Sequence, residues 1–374
     1  MNSYAFPIKM AFFTFPFIAA FITLPFLIFQ YKKYGYLNKF RAFILYSFLL
    51  YLITAYYLII LPLPASRDVK SLQLPGTVYY KLTPFNFIRD IIKESKVVFG
   101  NKSTYITIFK ERAFLQAAFN GVLLTPLGIY LRYYFNKGLK QTLVMSFFMS
   151  LFFELTQLTA LYGIYNAPYR IFDVDDLILN TLGGLIGFII APMFAYFLPE
   201  AEKLDENVDL SSMPIGIVRR GIAFSIDWTI VSFVLTIFKR EQELFSKAIL
   251  IFIYFILIVY ATNGRTFGKW LVRIKVKGKE EKLKFLEVFK RYGILYYGIT
   301  GLNYIMIQVI TLNGEKGLIN IVVIFVMMVF NIIIAVNLVI NIFSKQKLFF
   351  YEKISGTRNA VITNNLNKMR DLNI

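Results

Sequence analysis

Acidic and amide side chains recur at helical spacing in two neighbouring apolar segments of this 374-residue chain. Asp173 and Asp176 stand three residues apart, and Asn180 follows four residues later. On a helix this spacing places the three side chains on one face. Glu154 and Gln157 have the same three-residue spacing in the preceding apolar segment. Side chains of these types bind a divalent cation, act as general acid and base, or hold a cationic or sugar-bearing head group.

The composition limits the chemistry further. The chain has neither cysteine nor histidine, which excludes disulfides, thiolate nucleophiles, Ser-His pairs and zinc sites built on imidazole or thiolate. Catalysis would have to rest on carboxylates, Arg, Lys, Tyr or hydroxyl groups, and the residue types leave open whether the protein is an enzyme. Arg170 lies at the rim of the acidic cluster, where a guanidinium could hold a phosphate. The catalytic candidates are Glu154, Asp173 and Asp176, of which Glu154 and Asp176 are also candidates for a divalent cation, and the ligand-binding candidates are Asn120, Gln157, Arg170 and Asn180.

These residues also have a purely structural interpretation. Polar groups within a membrane join helices through hydrogen bonds, each worth about 0.6–2 kcal/mol. For Asn120, Gln157 and Asn180 taken singly, both interpretations stay open. The combination of carboxylates with Arg170 favours a functional role, because neutral residues would join helices at lower cost.

The elements that carry these residues are expected to be membrane-spanning helices. Hydrophobic residues form 57% of the chain, against roughly 45–50% in a soluble domain, and they are grouped in runs that can cross a bilayer. We expect an all-α polytopic membrane protein with about nine transmembrane helices. The spans are placed near residues 10–31, 42–63, 113–131, 141–162, 174–198, 218–238, 246–263, 290–311 and 318–343.

The net charge of +19 lies mostly in short segments between the apolar runs. This distribution is typical of topology signals, not of nucleic-acid binding. Basic segments after the first and third spans are expected in the cytoplasm, which places the N-terminus outside and the C-terminus inside. Asn120, Glu154 and Asn180 then lie at one depth, on the order of 10 Å below the outer surface at about 1.5 Å rise per residue.

The long loop at 64–112 is basic, yet the alternation of spans places it outside; long loops weigh less in the charge rule. Apolar and charged residues alternate over 85–94. This pattern predicts a helix, which lies either in the outer headgroup layer or against the rest of the protein.

Three ordered blocks resemble the signature of the VanZ-like family over about residues 40–198. They are Asn120-Gly121 through Pro126-Leu127-Gly128, Glu154-Leu155-Thr156-Gln157, and Arg170-x-x-Asp173-x-x-Asp176-x-x-x-Asn180-Thr181-x-Gly183-Gly184-x-x-Gly187; Thr83-Pro84-Phe85 resembles the family's extracytoplasmic block. The resemblance implies a bacterial cell-envelope protein of a family named for resistance to the glycopeptide teicoplanin. It implies no particular reaction.

The back half carries ionisable residues of its own. Arg220 and Asp227 lie on one face of a predicted helix, and an intramembrane aspartate requires a partner. We expect Arg265 or Arg291 to be that partner. Alternating residues near 271–277 predict a short cytoplasmic β-like segment.

Together with Asn263-Gly264-Arg265 and Tyr351-Glu352 through Gly356-Thr357, these features resemble the RDD family over about residues 215–362. The family's closing His-Asp reads Tyr351-Glu352 here, and the lost imidazole weakens any role in proton relay. Arg220, Asp227, Arg265 and Glu352 are the charged positions that the resemblance singles out. It implies a membrane module, with transport suggested for some members.

The expected organisation is a five-span module at 1–198, an acidic cytoplasmic linker at 199–214, a four-span module at 215–362 and a polar tail at 363–374. The leading functional hypothesis is a bacterial cell-membrane protein whose outward-facing carboxylate pocket acts on or binds an envelope lipid or glycan precursor, with a link to glycopeptide resistance. A transporter or lipid flippase and a non-catalytic scaffold stay open as alternatives. The expected partners are the lipid bilayer and the envelope precursor, and no nucleic acid.

Overall fold

The computed structural model describes residues 2–97, 100–206, 208–238, 244–312, 317–344 and 348–363. Apart from its first residue, the polar tail expected at 363–374 lies outside these described ranges. The chain divides into two compact units, Met1–Ile22 with Asn38–Glu206 and Thr23–Leu37 with Asn207–Ile374. The first helix therefore contributes residues to both units.

Among its described residues, the first unit contains helices and one short pair of strands. Its elements are α1 (Asn2–Tyr34), α2 (Lys39–Ile60), β1 (Tyr80–Lys81), α3 (Asn86–Glu94), α4 (Lys102–Tyr105), α5 (Arg112–Leu123), α6 (Thr125–Tyr133), α7 (Leu139–Leu158), α8 (Ala160–Gly163), β2 (Phe172–Asp173) and α9 (Val174–Ala195). Strands β1 and β2 pair in parallel. The helix predicted over 85–94 is confirmed as α3.

The second unit combines long helices with one antiparallel pair of strands. Its elements are α10 (Ile217–Ile237), α11 (Leu244–Ile251), α12 (Ile258–Ala261), α13 (Phe267–Leu271), β3 (Ile274–Lys277), α14 (Phe285–Tyr292), α15 (Gly301–Leu312), α16 (Gly317–Phe343), α17 (Phe350–Ser355) and β4 (Arg358–Val361). π-Helical turns at Phe252–Leu257 and Gly293–Thr300 join α11 to α12 and α14 to α15. The β-like segment predicted near 271–277 is confirmed as β3, which pairs with β4.

The protein is an all-α polytopic membrane protein in two modules. Within the described ranges, eight helices have the length and apolar composition to cross a membrane, one fewer than the nine expected. The difference lies at the predicted span 141–162. That segment forms α7, a 20-residue helix in which Glu154 and two glutamines interrupt the apolar sequence.

Helix α9 packs closely against its neighbours through glycines. A Cβ atom on Gly187 would overlap the Thr125 carbonyl oxygen, and one on Gly183 would overlap the Gly121 carbonyl oxygen. On the side of α9 that contacts α7, a Cβ atom on Gly184 would overlap the Ser146 hydroxyl. Gly183 and Gly187, four residues apart, therefore let the backbones of α5 and α6 approach α9 closely.

Candidate functional site

A stripe of buried polar residues runs along α7 and faces α9. Thr142, Ser146, Ser150 and Glu154 recur every fourth residue, and each is at most 1% exposed. The Ser150 hydroxyl accepts a hydrogen bond from Asn180 Nδ2 at 2.9 Å and donates one to the Asp176 carbonyl oxygen at 3.3 Å. Polar groups withdrawn from water in this way require internal partners. Within the stripe, Ser150 therefore joins α7 to α9.

Two carboxylates of the predicted cluster are held between three helices at the N-terminal end of α9. Glu154 Oε2 accepts the backbone N–H of Asp173 at 3.0 Å. The partly buried Asp176 accepts a hydrogen bond from Asn120 Nδ2 on α5. Of the three residues predicted at one depth, Asn120 thus contacts Asp176, Glu154 contacts the Asp173 backbone, and Asn180 contacts Ser150.

Asp173 lies at the edge of this cluster, outside the membrane-spanning helix that follows it. Its side chain accepts the Asp175 N–H at 3.0 Å as the N-cap of α9, and it lies 3.9 Å from Lys81 Nζ on β1. Burial raises the pKa of the Asp173 carboxyl above its ordinary value, opposed by the Asp175 N–H and by Lys81. Asp173 therefore combines a structural cap with a carboxylate near the rim.

Gln157 and Arg170 contact the C-terminal end of α2. Gln157 Nε2 donates to the Ile59 carbonyl at 3.1 Å, and Arg170 Nη2 donates to the Leu61 carbonyl at 2.7 Å. The last carbonyls of a helix have no partner within the helix, and these side chains supply one. Both predicted ligand-binding residues thus have structural contacts that the sequence did not suggest.

Asp175 is a functional-site neighbour that the sequence analysis missed. It is 3% exposed, and its two carboxylate oxygens accept the backbone N–H groups of Phe85 and Phe87. It therefore anchors the N-terminal turn of α3 beside the acidic cluster. The position of Asp175 in the sequence could have indicated this role. Neighbouring residues on a helix point about 100° apart, so Asp175 cannot lie on the same face as Asp176 and needs a different partner.

The arrangement provides carboxylate oxygens close to cationic side chains at one end of the unit. Among the described residues, no group of three or more acidic side chains could hold a metal ion. Glu154 and Asp176 would therefore have to hold any cation with fewer carboxylates. Their carboxylate oxygens can also accept hydrogen bonds from a polar ligand.

The second unit contains a buried ion network centred on Glu352, which is 1% exposed. Its Oε2 accepts from Arg220 Nη1 at 2.9 Å, and its Oε1 accepts from Arg291 Nη2 at 2.8 Å. Asn359 Nδ2 on β4 also donates to Oε1, at 2.8 Å. Glu352 thus connects α10, α14 and β4. The glutamate that replaces the RDD family's aspartate therefore joins three elements of the second unit.

The prediction that Arg291 is the partner of Asp227 is wrong, because Arg291 contacts Glu352. Asp227 is fully buried and lies 3.9 Å from Lys269 Nζ. Its Oδ1 accepts from the Tyr254 hydroxyl at 2.8 Å and the Gly268 N–H at 2.7 Å. Its Oδ2 accepts from the Thr266 hydroxyl at 2.6 Å.

The physical reason is that a hydroxyl, an amide and an ammonium from the segment preceding β3 satisfy this carboxylate locally. Arg265 lies in the same segment, and its backbone N–H and carbonyl both contact the Thr262 hydroxyl. No contact between its side chain and Asp227 is found among the described residues, so this second predicted partner was also wrong.

Family models match two separate parts of the chain. The model described as VanZ/LLP1 matches residues 48–195, and the model described as RDD family matches residues 243–356. No curated protein and no solved structure gives a match to this chain. The first match contains the α5–α7–α9 cluster, and the second contains Lys269, Arg291 and Glu352. The chain therefore carries a VanZ/LLP1 domain at 48–195 fused to an RDD family domain at 243–356.

Proposed function

We propose that this bacterial membrane protein binds the head group of a cell-envelope lipid or glycan precursor at the acidic cluster formed by Glu154, Asp173 and Asp176. The observation that carries the proposal is the partly buried Asp176, held by Asn120 at the helix end where Glu154 and Asp173 also converge. Ionisable side chains are costly within a membrane, and those that occur there commonly have a function.

The nearby charges suit a polar ligand of mixed chemistry. Asp176 and Asp173 offer hydrogen-bond acceptors for sugar hydroxyls or an ammonium group. Lys81 lies beside Asp173, and Arg170 lies three residues before Asp173 in the chain. A phosphate could therefore be held at the rim while the rest of the head group contacts the carboxylates.

Two further considerations support an outer-face role. The topology predicted from the sequence, in which the N-terminus lies outside and α7 crosses the membrane as the fourth of nine spans, would put the N-terminal end of α9 at the outer surface, where envelope precursors are used. The VanZ/LLP1 match is to a family whose name refers to glycopeptide resistance. We therefore infer that the protein changes sensitivity to glycopeptides through its contact with such a precursor.

The test is complementation of a strain that lacks the protein. We expect Glu154→Gln, Asp176→Asn and Arg170→Ala to reach the membrane in normal amounts. The wild-type gene should restore the parental teicoplanin susceptibility, and these three variants should not. Glu280→Gln is the matched control, because its side chain is 63% exposed and lies in the other unit. The proposal fails if all three variants are folded and restore susceptibility as fully as this control.

A further inference from the structure

A cavity of about 270 Å³ lies at the other end of α9, away from the acidic cluster. Arg132, Tyr133 and Asn136 from the end of α6 form one side of it. Pro192 and Ala195 of α9 form an apolar wall, and Glu200 and Glu202 lie at the edge after α9 ends. The cavity therefore combines an arginine, an amide and two carboxylates around a small apolar wall.

The guanidinium of Arg132 is held by a carbonyl group that Pro192 leaves without its helical hydrogen bond. Proline has no backbone N–H, so within α9 it cannot donate to the carbonyl four residues earlier, that of Phe188. Arg132 Nη1 donates to that carbonyl at 2.7 Å, and the guanidinium carbon lies 4.4 Å from the centre of the Phe188 ring. Arg132 is thus fixed at the cavity wall by a hydrogen bond and a cation–π contact.

Acidic side chains line the same cavity as Arg132. Glu200 and Glu202 line it, and Glu200 also pairs with Lys203 at 2.7 Å. Both signs of charge are therefore present in the lining of one cavity. An anion alone would meet the two glutamates, and a cation alone would meet Arg132. A zwitterion satisfies both sides.

The position of the cavity indicates a lipid. Helix α9 has 22 residues, about 33 Å at 1.5 Å per residue, which matches the roughly 30 Å hydrocarbon core of a bilayer. The cavity thus lies at the membrane surface opposite the acidic cluster. Tyr196 and Phe197 beside it are 85% and 79% exposed, as expected of aromatic residues in the interfacial layer.

We propose that this cavity binds a zwitterionic group that carries a phosphate and a primary ammonium, as in the head group of an ethanolamine phospholipid. The phosphate lies against Arg132 and Asn136, and the ammonium lies against Glu202. A trimethylated ammonium lacks the N–H donors that a carboxylate accepts, and a glycerol head group lacks the positive charge. The cavity therefore selects the primary amine over both.

The test uses the full chain in nanodiscs with equal amounts of phosphatidylethanolamine, phosphatidylcholine and phosphatidylglycerol, followed by native mass spectrometry of retained lipid. We expect the wild type to retain phosphatidylethanolamine on the order of tenfold over the other two, the factor that one charge-assisted hydrogen bond supplies. Equal retention of the three lipids would overturn the proposal.

Three variants locate the effect. Ala195→Phe fills the cavity without removing the bond from Arg132 to Phe188, and we expect it to lose the retained lipid. Glu202→Gln, an exposed position with little risk to folding, should lose the preference for the primary amine. Glu206→Gln removes an equivalent exposed charge outside the cavity lining and should behave as the wild type. Unchanged retention in both cavity variants would contradict the assignment.

A second arm separates a lipid from a soluble ligand. Lipid-free protein in detergent is heated with millimolar phosphoethanolamine or with phosphatidylethanolamine. If the soluble compound raises the melting temperature and the lipid does not, the same zwitterion is bound from solution. If only the lipid stabilises the wild type, and not Ala195→Phe, the ligand is the lipid. The proposal is wrong if neither compound stabilises the protein.

Discussion

Two neighbouring carboxylates at the start of α9 have different partners. Asp176 accepts from Asn120 within the membrane-spanning helices, whereas Asp175 accepts backbone N–H groups from the start of α3. The difference arises because neighbouring helical residues point about 100° apart. Asp175 therefore positions α3, whereas Asp176 is the carboxylate on which the proposed ligand contact depends.

Glu352 gives the clearest prediction for a single side chain. Glu352→Gln would leave Arg220 and Arg291 buried without the carboxylate between them, so we expect the free energy of unfolding to fall by about 3–5 kcal/mol, the cost of breaking a buried ion pair. Thermal unfolding of the purified protein in detergent measures the change.

Glu280→Gln is the control for this measurement. Glu280 pairs with Lys284, but both side chains are more than 60% exposed, and exposed ion pairs contribute about 0–1 kcal/mol. If Glu352→Gln shifts the unfolding temperature no more than Glu280→Gln does, Glu352 is not the hub of the second unit.

At the scale of elements, glycines determine how closely α9 packs. Gly187→Ala would force the Thr125 carbonyl of α6 away from α9, because a Cβ atom has no space there. We expect a lower unfolding temperature and a lower yield of monodisperse protein in fluorescence-detected size-exclusion chromatography. Overpacking of this kind costs typically about 1–3 kcal/mol.

Gly121→Ala on α5 is the matched control, since a Cβ atom there has no neighbour within 4 Å. Alanine is favoured over glycine inside a helix by about 0.5–1 kcal/mol, so this variant should be at least as stable as the wild type. Equal behaviour of the two glycine variants would contradict the described contact between α9 and α6.

Helix α3 is attached to α9 through Asp175. Asp175→Ala removes the acceptor for the Phe85 and Phe87 N–H groups, so we expect faster hydrogen exchange over 82–94. Peptides from α14, in the other unit, serve as the internal reference. Unchanged exchange over α3 would show that Asp175 does not hold this helix.

The sequence was sufficient to predict the features that depend on local patterns. Apolar runs marked the spans, alternation over 85–94 marked α3, and the spacing of Asp176 and Asn180 marked the face of α9 that contacts α7. Contacts between distant segments were not predictable in this way. β1 pairs with β2 across about 90 residues, and Asp227 is satisfied by Thr266 and Lys269, because tertiary packing alone decides which donors meet a buried carboxylate.

At the scale of the whole molecule, the VanZ/LLP1 domain and the RDD family domain each have a separate set of buried charges. In the proposed arrangement, the acidic cluster of the first unit lies near one membrane surface and its mixed-charge cavity near the other. The second unit uses Glu352 and Asp227 to join helices and strands. We therefore place head-group binding in the first unit and a mainly structural role in the ion network of the second.

The most direct test of head-group binding is an experimental structure of the full chain in nanodiscs made from native envelope lipids. We predict density for a lipid or glycan head group in contact with Asp176 and within reach of Arg170 and Lys81, and its loss in Asp176→Asn. A well-ordered map in which only water contacts Asp176, with lipid confined to the outer surface of the helices, would contradict the account.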